Sequence, residues 1–382
     1  MSFAEDTREN AFAAAPRRDL ALIAIPLGLL LLGLVVRFLA YLAGNPGGTP
    51  AGYVDSLCIW DCYWYGDVAA NGYQAYPFTE TFGGPAGIAN WAFFPAYPAL
   101  LALVGRLLPL SPPVLGMIVS PLLTLGAVLF SWPLFSGSRR AYYLFAALLL
   151  AGPFSFYFSI AYSESLFLLL TVLGFVALRE RNYIGAGLAG ALLAATRTVG
   201  VLFVFAIALE ALLALRRPRA LLGRPDIVLA IFLAPLGLFA FMAWLYFVTG
   251  DALGFAHIQR AWDRESVNPL MALWSGLTAP AGHLDATWDW ALAGLAGLAL
   301  CAVLAVQRRW AMALFSTLCL VLALTQGVES MLRFTVALAP LCIALCVLLA
   351  RWRWLFWLSL FGFLALDYSL TAAWIHSWGV LM

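Results

Sequence analysis

The sequence predicts an all-α polytopic membrane protein, and three observations predict it. Of the 382 residues, 64% are hydrophobic and 10% charged, with a mean hydropathy of +0.93, where a soluble domain carries ~25% charged residues. The apolar residues fall in runs of ~20, the length that spans a bilayer as a helix, and not in the ~10-residue alternating segments of a membrane barrel. The basic residues are all Arg and are clustered: Arg17/Arg18, Arg139/Arg140, Arg179/Arg181, Arg216/Arg217/Arg219/Arg224, Arg308/Arg309 and Arg351/Arg353. Such clusters mark the cytoplasmic side, so an even number of crossings must separate neighbours.

That parity orders the chain. Residues 1–19 are polar. The run 20–43 is too long for a signal-peptide core and lacks a small-residue cleavage pattern, so it reads as an uncleaved first span. Three apolar runs lie between Arg18 and Arg139, and only two can cross. The run 91–110 carries Pro95, Pro98, Pro109 and Arg106 and is expected to be juxtamembrane or re-entrant on the outer side. It joins the first large outer loop, 44–112, and 113–135 crosses. Spans follow at 141–159 and 165–178. The run from Arg181 to Arg216 exceeds one helix at ~1.5 Å per residue, so it turns at Arg197-Thr198, outside, giving spans 183–197 and 199–215. Then come 226–248, a second large outer loop 249–288, and spans 289–306, 310–326, 334–350 and 354–376. The expectation is about eleven transmembrane helices in one membrane-embedded domain, 1–382, with the N-terminus inside, the C-terminus outside and no internal repeat. Cys301, Cys319, Cys342 and Cys346 sit in apolar runs and read as packing residues. Cys58 and Cys62 sit on the first outer loop, where a disulfide and free thiols are both open.

Six arginines break the inside rule: Arg37, Arg106, Arg197, Arg260, Arg264 and Arg333, all at or near the outer face. Acids on that face include Asp55, Asp61, Asp67, Glu80, Glu164, Asp251, Asp263, Glu265, Asp285, Asp289 and Glu329. Solvated loop charges explain Asp251, Asp285, Asp289 and Glu80. Arg197, Arg333 and Glu164 are flanked by apolar runs, where an ionisable group is expensive unless paired or functional. Glu164 opens a short span and lies either as a first-turn acid favoured by the helix dipole or as a carboxylate in a cavity open to the outside. Trp60, Trp64 and Val68 recur every four residues, beside Asp61, Tyr65 and Ala69, which suits a short interfacial helix with aromatic anchors. Asp367 falls mid-span with no partner apparent in the sequence. Arg near a membrane boundary suits a phosphate, whose oxygens its planar fork binds in pairs, and a nearby carboxylate suits general-base work. Together they suggest chemistry on a lipid-linked phosphate, although a transporter could present the same residues.

A resemblance adds to this. "WDCYWYGDVAANGY" (60–73) followed by "AFFPAYPAL" (92–100), then "GPFSFYFSIAYSESLF" (152–167) and "AATRTVGVL" (194–202), resemble in order three blocks of the PIG-V mannosyltransferase family. "HIQRAW" (257–262) and "MLRFTVALAPL" (331–341) are weaker matches. The resemblance implies a GT-C-type bundle whose large first extracytoplasmic loop carries juxtamembrane helices. It implies a polyprenyl-phosphate sugar donor, a lipid-linked or glycan acceptor, work on the outer face of the plasma (inner) membrane among membrane lipids, and no nucleic acid. Asp61 would be the catalytic base of an inverting transfer. Tyr162, Glu164, Arg197 and Arg333 also occupy motif positions; their roles are our own assignment, Arg197 and Arg333, with Arg260 next, for the phosphate, Tyr162 and Glu164 for the sugar or acceptor pocket, and Trp60 and Tyr65 as further substrate-binding candidates. The sequence departs from the family at Gly152-Pro153-Phe154 and at Thr198-Val199, where the family has Ser-Pro-Ala and Ser-Asn. No cofactor is implied, and without Lys or an Asp-x-Asp motif no metal is expected. Mannose is the leading sugar. Glucose or a pentose on the same fold, and a lipid-linked sugar transporter without chemistry, are the alternatives.

Overall fold

The computed structural model describes residues 19–77, 87–215, 223–262, 264, 266–279 and 287–376. Arg17, Arg18, Arg216, Arg217, Arg219, Glu80, Asp263, Glu265 and Asp285 lie outside the described residues. Helices occupy all eleven places where spans were expected, and the described residues contain no strand. Six are long and apolar enough to cross a membrane: Ala21–Gly44, Pro112–Phe135, Thr198–Leu215, Pro225–Thr249, Thr287–Val306 and Arg353–Ile375. A seventh is a pair, Met331–Ala337 and Ala339–Leu349, bent by 77°. The bend has a local cause. Pro340 stands in the first turn of the second helix, and a proline lacks the N–H and collides with the carbonyl four residues back.

The remaining four helices are shorter: Arg139–Leu150, Glu164–Arg179, Tyr183–Thr196 and Trp310–Leu324, of 12, 16, 14 and 15 residues. At ~1.5 Å per residue they reach roughly 18–24 Å. The expected span 141–159 ends early, at Leu150, just before Gly152-Pro153. The adjoining segment, 151–163, is a run of turns and a 3-10 helix, Ser155–Phe158, and nearly all of it is buried. Irregular backbone is tolerated at membrane depth only inside protein, and here side chains bind it. Ser159 Oγ donates to Ser155 O at 3.1 Å, and Thr124 Oγ1 and Tyr97 Oη donate to Phe158 O and Ile160 O, each at 3.4 Å. A Cβ at Gly116 would overlap Ala161, so only glycine lets the Pro112–Ser131 helix approach this segment. That approach seats Ser163 and Glu164 at the head of the Glu164–Arg179 helix.

The run 183–215 turns where the sequence required. The first helix ends at Thr196, Arg197 is extended at φ −155°, and a 3-10 turn, Thr198–Leu202, leads into Phe203–Leu215. The run 91–110 forms one 12-residue helix, Ala96–Leu107, too short to cross alone. Asp367 has partners after all. Its carboxylate accepts from Ser155 Oγ at 2.8 Å and lies 3.4 Å from Arg37 Nη1, which also contacts Ser155 Oγ, all three groups being wholly buried. Arg37, expected at the outer face, is thus held between the Ala21–Gly44 and Arg353–Ile375 helices.

Candidate active site

Two interhelical segments and three helix ends converge on one cavity of ≈1290 Å³. The first segment is an abrupt turn. The helix Pro50–Leu57 stops at Cys58, Trp60 adopts φ +56°, and a new helix, Asp61–Asn71, starts at Asp61. Trp60 therefore precedes the helix and does not share its face with Trp64 and Val68, as the four-residue spacing suggested. A disulfide joins Cys58 to Cys62 across this turn. Tyr162 Oη donates to Ile59 O at 3.0 Å and Trp374 Nε1 to Leu57 O at 3.0 Å, fixing its entry.

Four charges form a chain along the cavity wall. Arg333 Nη1 donates to Asp61 Oδ2 at 2.7 Å. Arg333 Nε lies 3.3 Å from Glu164 Oε1, and Arg197 Nη1 donates to the same oxygen at 2.6 Å. Two guanidiniums thus alternate with two carboxylates. Their exposures separate their roles: 31% for the Asp61 side chain, 17% for Arg197, 7% for Arg333 and 2% for Glu164. Glu164, expected to line the pocket, is not among its lining residues and lies behind the two arginines, its Oε2 buried without a hydrogen-bond partner. It orients both guanidiniums from below. Each guanidinium has five N–H donors, and the ion pairs leave several on each. Asp61 keeps Oδ1 for another partner.

Aromatic rings shape the rest. Phe334 receives both cations, with Arg197 Cζ at 5.0 Å and Arg333 Cζ at 5.4 Å from its centroid, and Tyr162 lies 5.3 Å from Arg333 Cζ. Tyr65 Oη and Ser163 Oγ share a 2.7 Å hydrogen bond. Burial, chiefly, pushes the Tyr65 phenol well above its ordinary range, so it stays protonated. Trp64 stacks on Phe93 at 5.7 Å and meets Trp262 edge-on at 5.8 Å, closing the Asp61–Asn71 helix against the Ile258–Trp262 turn.

Of the residues singled out in the sequence, Trp60, Asp61, Tyr65, Tyr162, Arg197, Arg260 and Arg333 line this one cavity. Arg260 is exposed, on the 3-10 turn Ile258–Trp262. Asp67 falls on an unspecified position of the family pattern, which reads as a solvated charge, but the structure gives it partners. It accepts from Asn90 Nδ2 at 2.7 Å and Asn71 Nδ2 at 2.9 Å, and the buried Asn90 also donates to Gly72 O, so Asp67 ties the loop ahead of Phe93 to the helix. Phe334, Ser163 and Trp262 carried no sequence signal of their own, since each gains meaning only from what the fold places beside it. Among the described residues no group of three His, Cys, Asp or Glu could hold a metal ion.

No family profile matches the chain, and no curated protein matches it. Solved structures do. The Archaeoglobus fulgidus oligosaccharyltransferase in complex with zinc and sulfate is 14% identical, over 92% of this chain and 53% of that one, with a TM-score of 0.46. The same organism's AglB oligosaccharyltransferase, in complex with an inhibitory peptide and a dolichol-phosphate, is 13% identical over 92% and 55%, with a TM-score of 0.43. The chain spans about half the length of each.

Proposed function

We propose that this protein transfers a sugar, with mannose the leading candidate, from a polyprenyl-phosphate donor to a hydroxyl of a lipid-linked or glycan acceptor on the outer face of the plasma membrane. The observation that carries the reading is the Asp61–Arg333–Glu164–Arg197 chain, of which Asp61, Arg333 and Arg197 line a large cavity with Glu164 behind them. The acceptor oxygen attacks the anomeric carbon as the bond from that carbon to the phosphate oxygen breaks. Asp61 Oδ1 takes the acceptor's proton. The phosphate leaves with the additional negative charge, which the spare N–H groups of Arg197 and Arg333 stabilise. One displacement inverts the anomeric centre. The resemblance in the sequence blocks 60–73, 152–167 and 194–202 supports mannose, while the epimer is decided by hydroxyl contacts in the pocket.

Movement of a lipid-linked sugar without chemistry draws support from the buried Arg37–Asp367 pair, since ionisable groups inside a bundle often mark a transport path. That pair does not line the cavity, which favours transfer. The test is a donor screen on purified protein with radiolabelled polyprenyl-phosphate sugars and membrane lipid extract. Label should move to an acceptor, and Asp61→Asn should slow this by about 10²–10⁴-fold, the usual worth of a general base. Transfer by Asp61→Asn at the wild-type rate removes the base. Failure to release polyprenyl phosphate from any donor removes the enzyme.

A further inference from the structure

The disulfide-closed turn at 58–62 has an unusual construction. Cys58 ends one helix, Cys62 sits in the first turn of the next, and the bond between them closes a ring of five residues with Cα atoms 5.3 Å apart. Inside the ring Trp60 holds φ +56° and ψ −118°, a conformation outside the left-handed helical basin and sparsely populated for a bulky residue. Such a residue persists only where its surroundings over-determine it, and such residues gather at functional sites. Asp61 is the next residue. The two carbonyls pinned from outside, Leu57 O and Ile59 O, both precede Trp60. Beyond them the ring and the Arg333 ion pair hold the Asp61 carboxylate. Trp60 itself is 46% exposed and lines the cavity.

We infer that the Cys58–Cys62 disulfide is a positioning element for the transfer step: it locks the Trp60-Asp61 turn so that the Asp61 carboxylate meets the acceptor hydroxyl, and the dithiol form is the slow form of the enzyme. The inference rests on the proposed function for its kinetic consequence and on the geometry alone for its structural one. A ring this short removes little freedom from the unfolded chain, because the entropy of closure grows with loop length. Its effect is therefore local. Catalytic groups must be held to within about half an ångström of the productive position, and a turn released to ordinary φ values moves Asp61 while leaving the bundle intact. Cys62 is buried and Cys58 half-buried, so a small reductant reaches the bond from the Cys58 side. The four other cysteines are already thiols and do not change on reduction.

The test uses the full-length protein in detergent. Dithiothreitol supplies two electrons and two protons to Cys58 and Cys62 and becomes its own cyclic disulfide. Reduced wild type and the Cys58→Ser/Cys62→Ser double variant should both lose kcat by tenfold or more, with donor KM within twofold and Tm within about 2 °C of the oxidised protein. Reoxidation should restore the wild type and not the double variant. A kcat unchanged in both overturns the inference while the transfer function stands. Amide hydrogen exchange over residues 58–66, read by mass spectrometry, needs no substrate. It should quicken at least tenfold on reduction, and unchanged exchange overturns the inference even if no donor is ever turned over. If exchange quickens but oxidised wild type releases no polyprenyl phosphate, the staple stands and the proposed reaction falls.

Discussion

Glu164→Gln separates a positioning acid from a reacting one. The substitution keeps shape and removes the only negative charge shared by Arg197 and Arg333. An ion pair at ~4 Å between charge centres is worth ~4 kcal/mol of Coulomb energy at an effective dielectric of ~20. Much of that offsets the desolvation of a carboxylate only 2% exposed, and removing one partner of a buried pair measures ~3–5 kcal/mol. Two features lower the figure here. Arg197 is 17% exposed to the cavity, and Arg333 keeps Asp61 at 2.7 Å. About 2–3 kcal/mol of stability should be lost. With an unfolding entropy of ~2.1 cal/mol/K per residue, a chain of 382 residues loses roughly 1 °C per kcal/mol, so Tm should fall roughly 3 °C. Thermal unfolding in detergent, followed by tryptophan fluorescence, measures it. Asp61→Asn, whose side chain is 31% exposed, should lower Tm by no more than about 1 °C while losing most transfer. The reasoning is refuted if Glu164→Gln melts at or above the wild-type temperature, or if the two variants exchange their patterns.

Asp367→Asn leaves Arg37 wholly buried and without its counter-charge, and should cost about 3–5 kcal/mol, read as a lower Tm with donor affinity unchanged in whatever folds. Gly116→Val drives a side chain into Ala161 and should displace the segment carrying Glu164, costing about 1–3 kcal/mol and reducing transfer; wild-type Tm would contradict the close approach. On the exposed segment after Thr249, His257 hydrogen-bonds Asp251 and holds its carboxyl below the usual range. A depressed carboxyl stabilises above its unfolded pKa of ~3.9, and that contribution disappears as pH falls through the folded value. Asp251→Asn should therefore destabilise this segment by ~0.2–1 kcal/mol at pH 7 and by progressively less as pH falls below ~3.9, measured as the pH dependence of amide exchange at 251–257.

The helix positions were legible because hydrophobic run length answers to the thickness of a bilayer, a constraint that acts along the chain residue by residue. The turn at Arg197 was forced by length alone. What the sequence concealed was tertiary. Pairing of Arg37 with Asp367 joins residues 330 apart, and pairing of Asp61 with Arg333 joins residues 272 apart. No local pattern encodes either. Glu164 was recognisable as a charge out of place, yet its burial behind the arginines depends on Gly116 admitting the neighbouring segment. Asp67 read as a solvated acid because Asn90, its partner, is itself an inconspicuous residue in a loop. Disulfide formation between Cys58 and Cys62 required knowing that the helix breaks at Trp60, since spacing alone left it open.

The long tie between Asp61 and Arg333 also sets an order of assembly during synthesis. Glu164 and Arg197 are only 33 residues apart and can meet once two neighbouring helices are inserted. At ~5–20 residues per second, the 272 residues separating Asp61 from Arg333 take roughly 14–54 s to emerge from the ribosome. Throughout that interval Asp61 stands without Arg333, and only Arg197 of the two paired arginines can already be in place. The four-charge chain is completed only when the bent helix pair arrives, so a nascent protein holds its proposed phosphate-binding pair half-built and its base uncoupled until Arg333 has emerged.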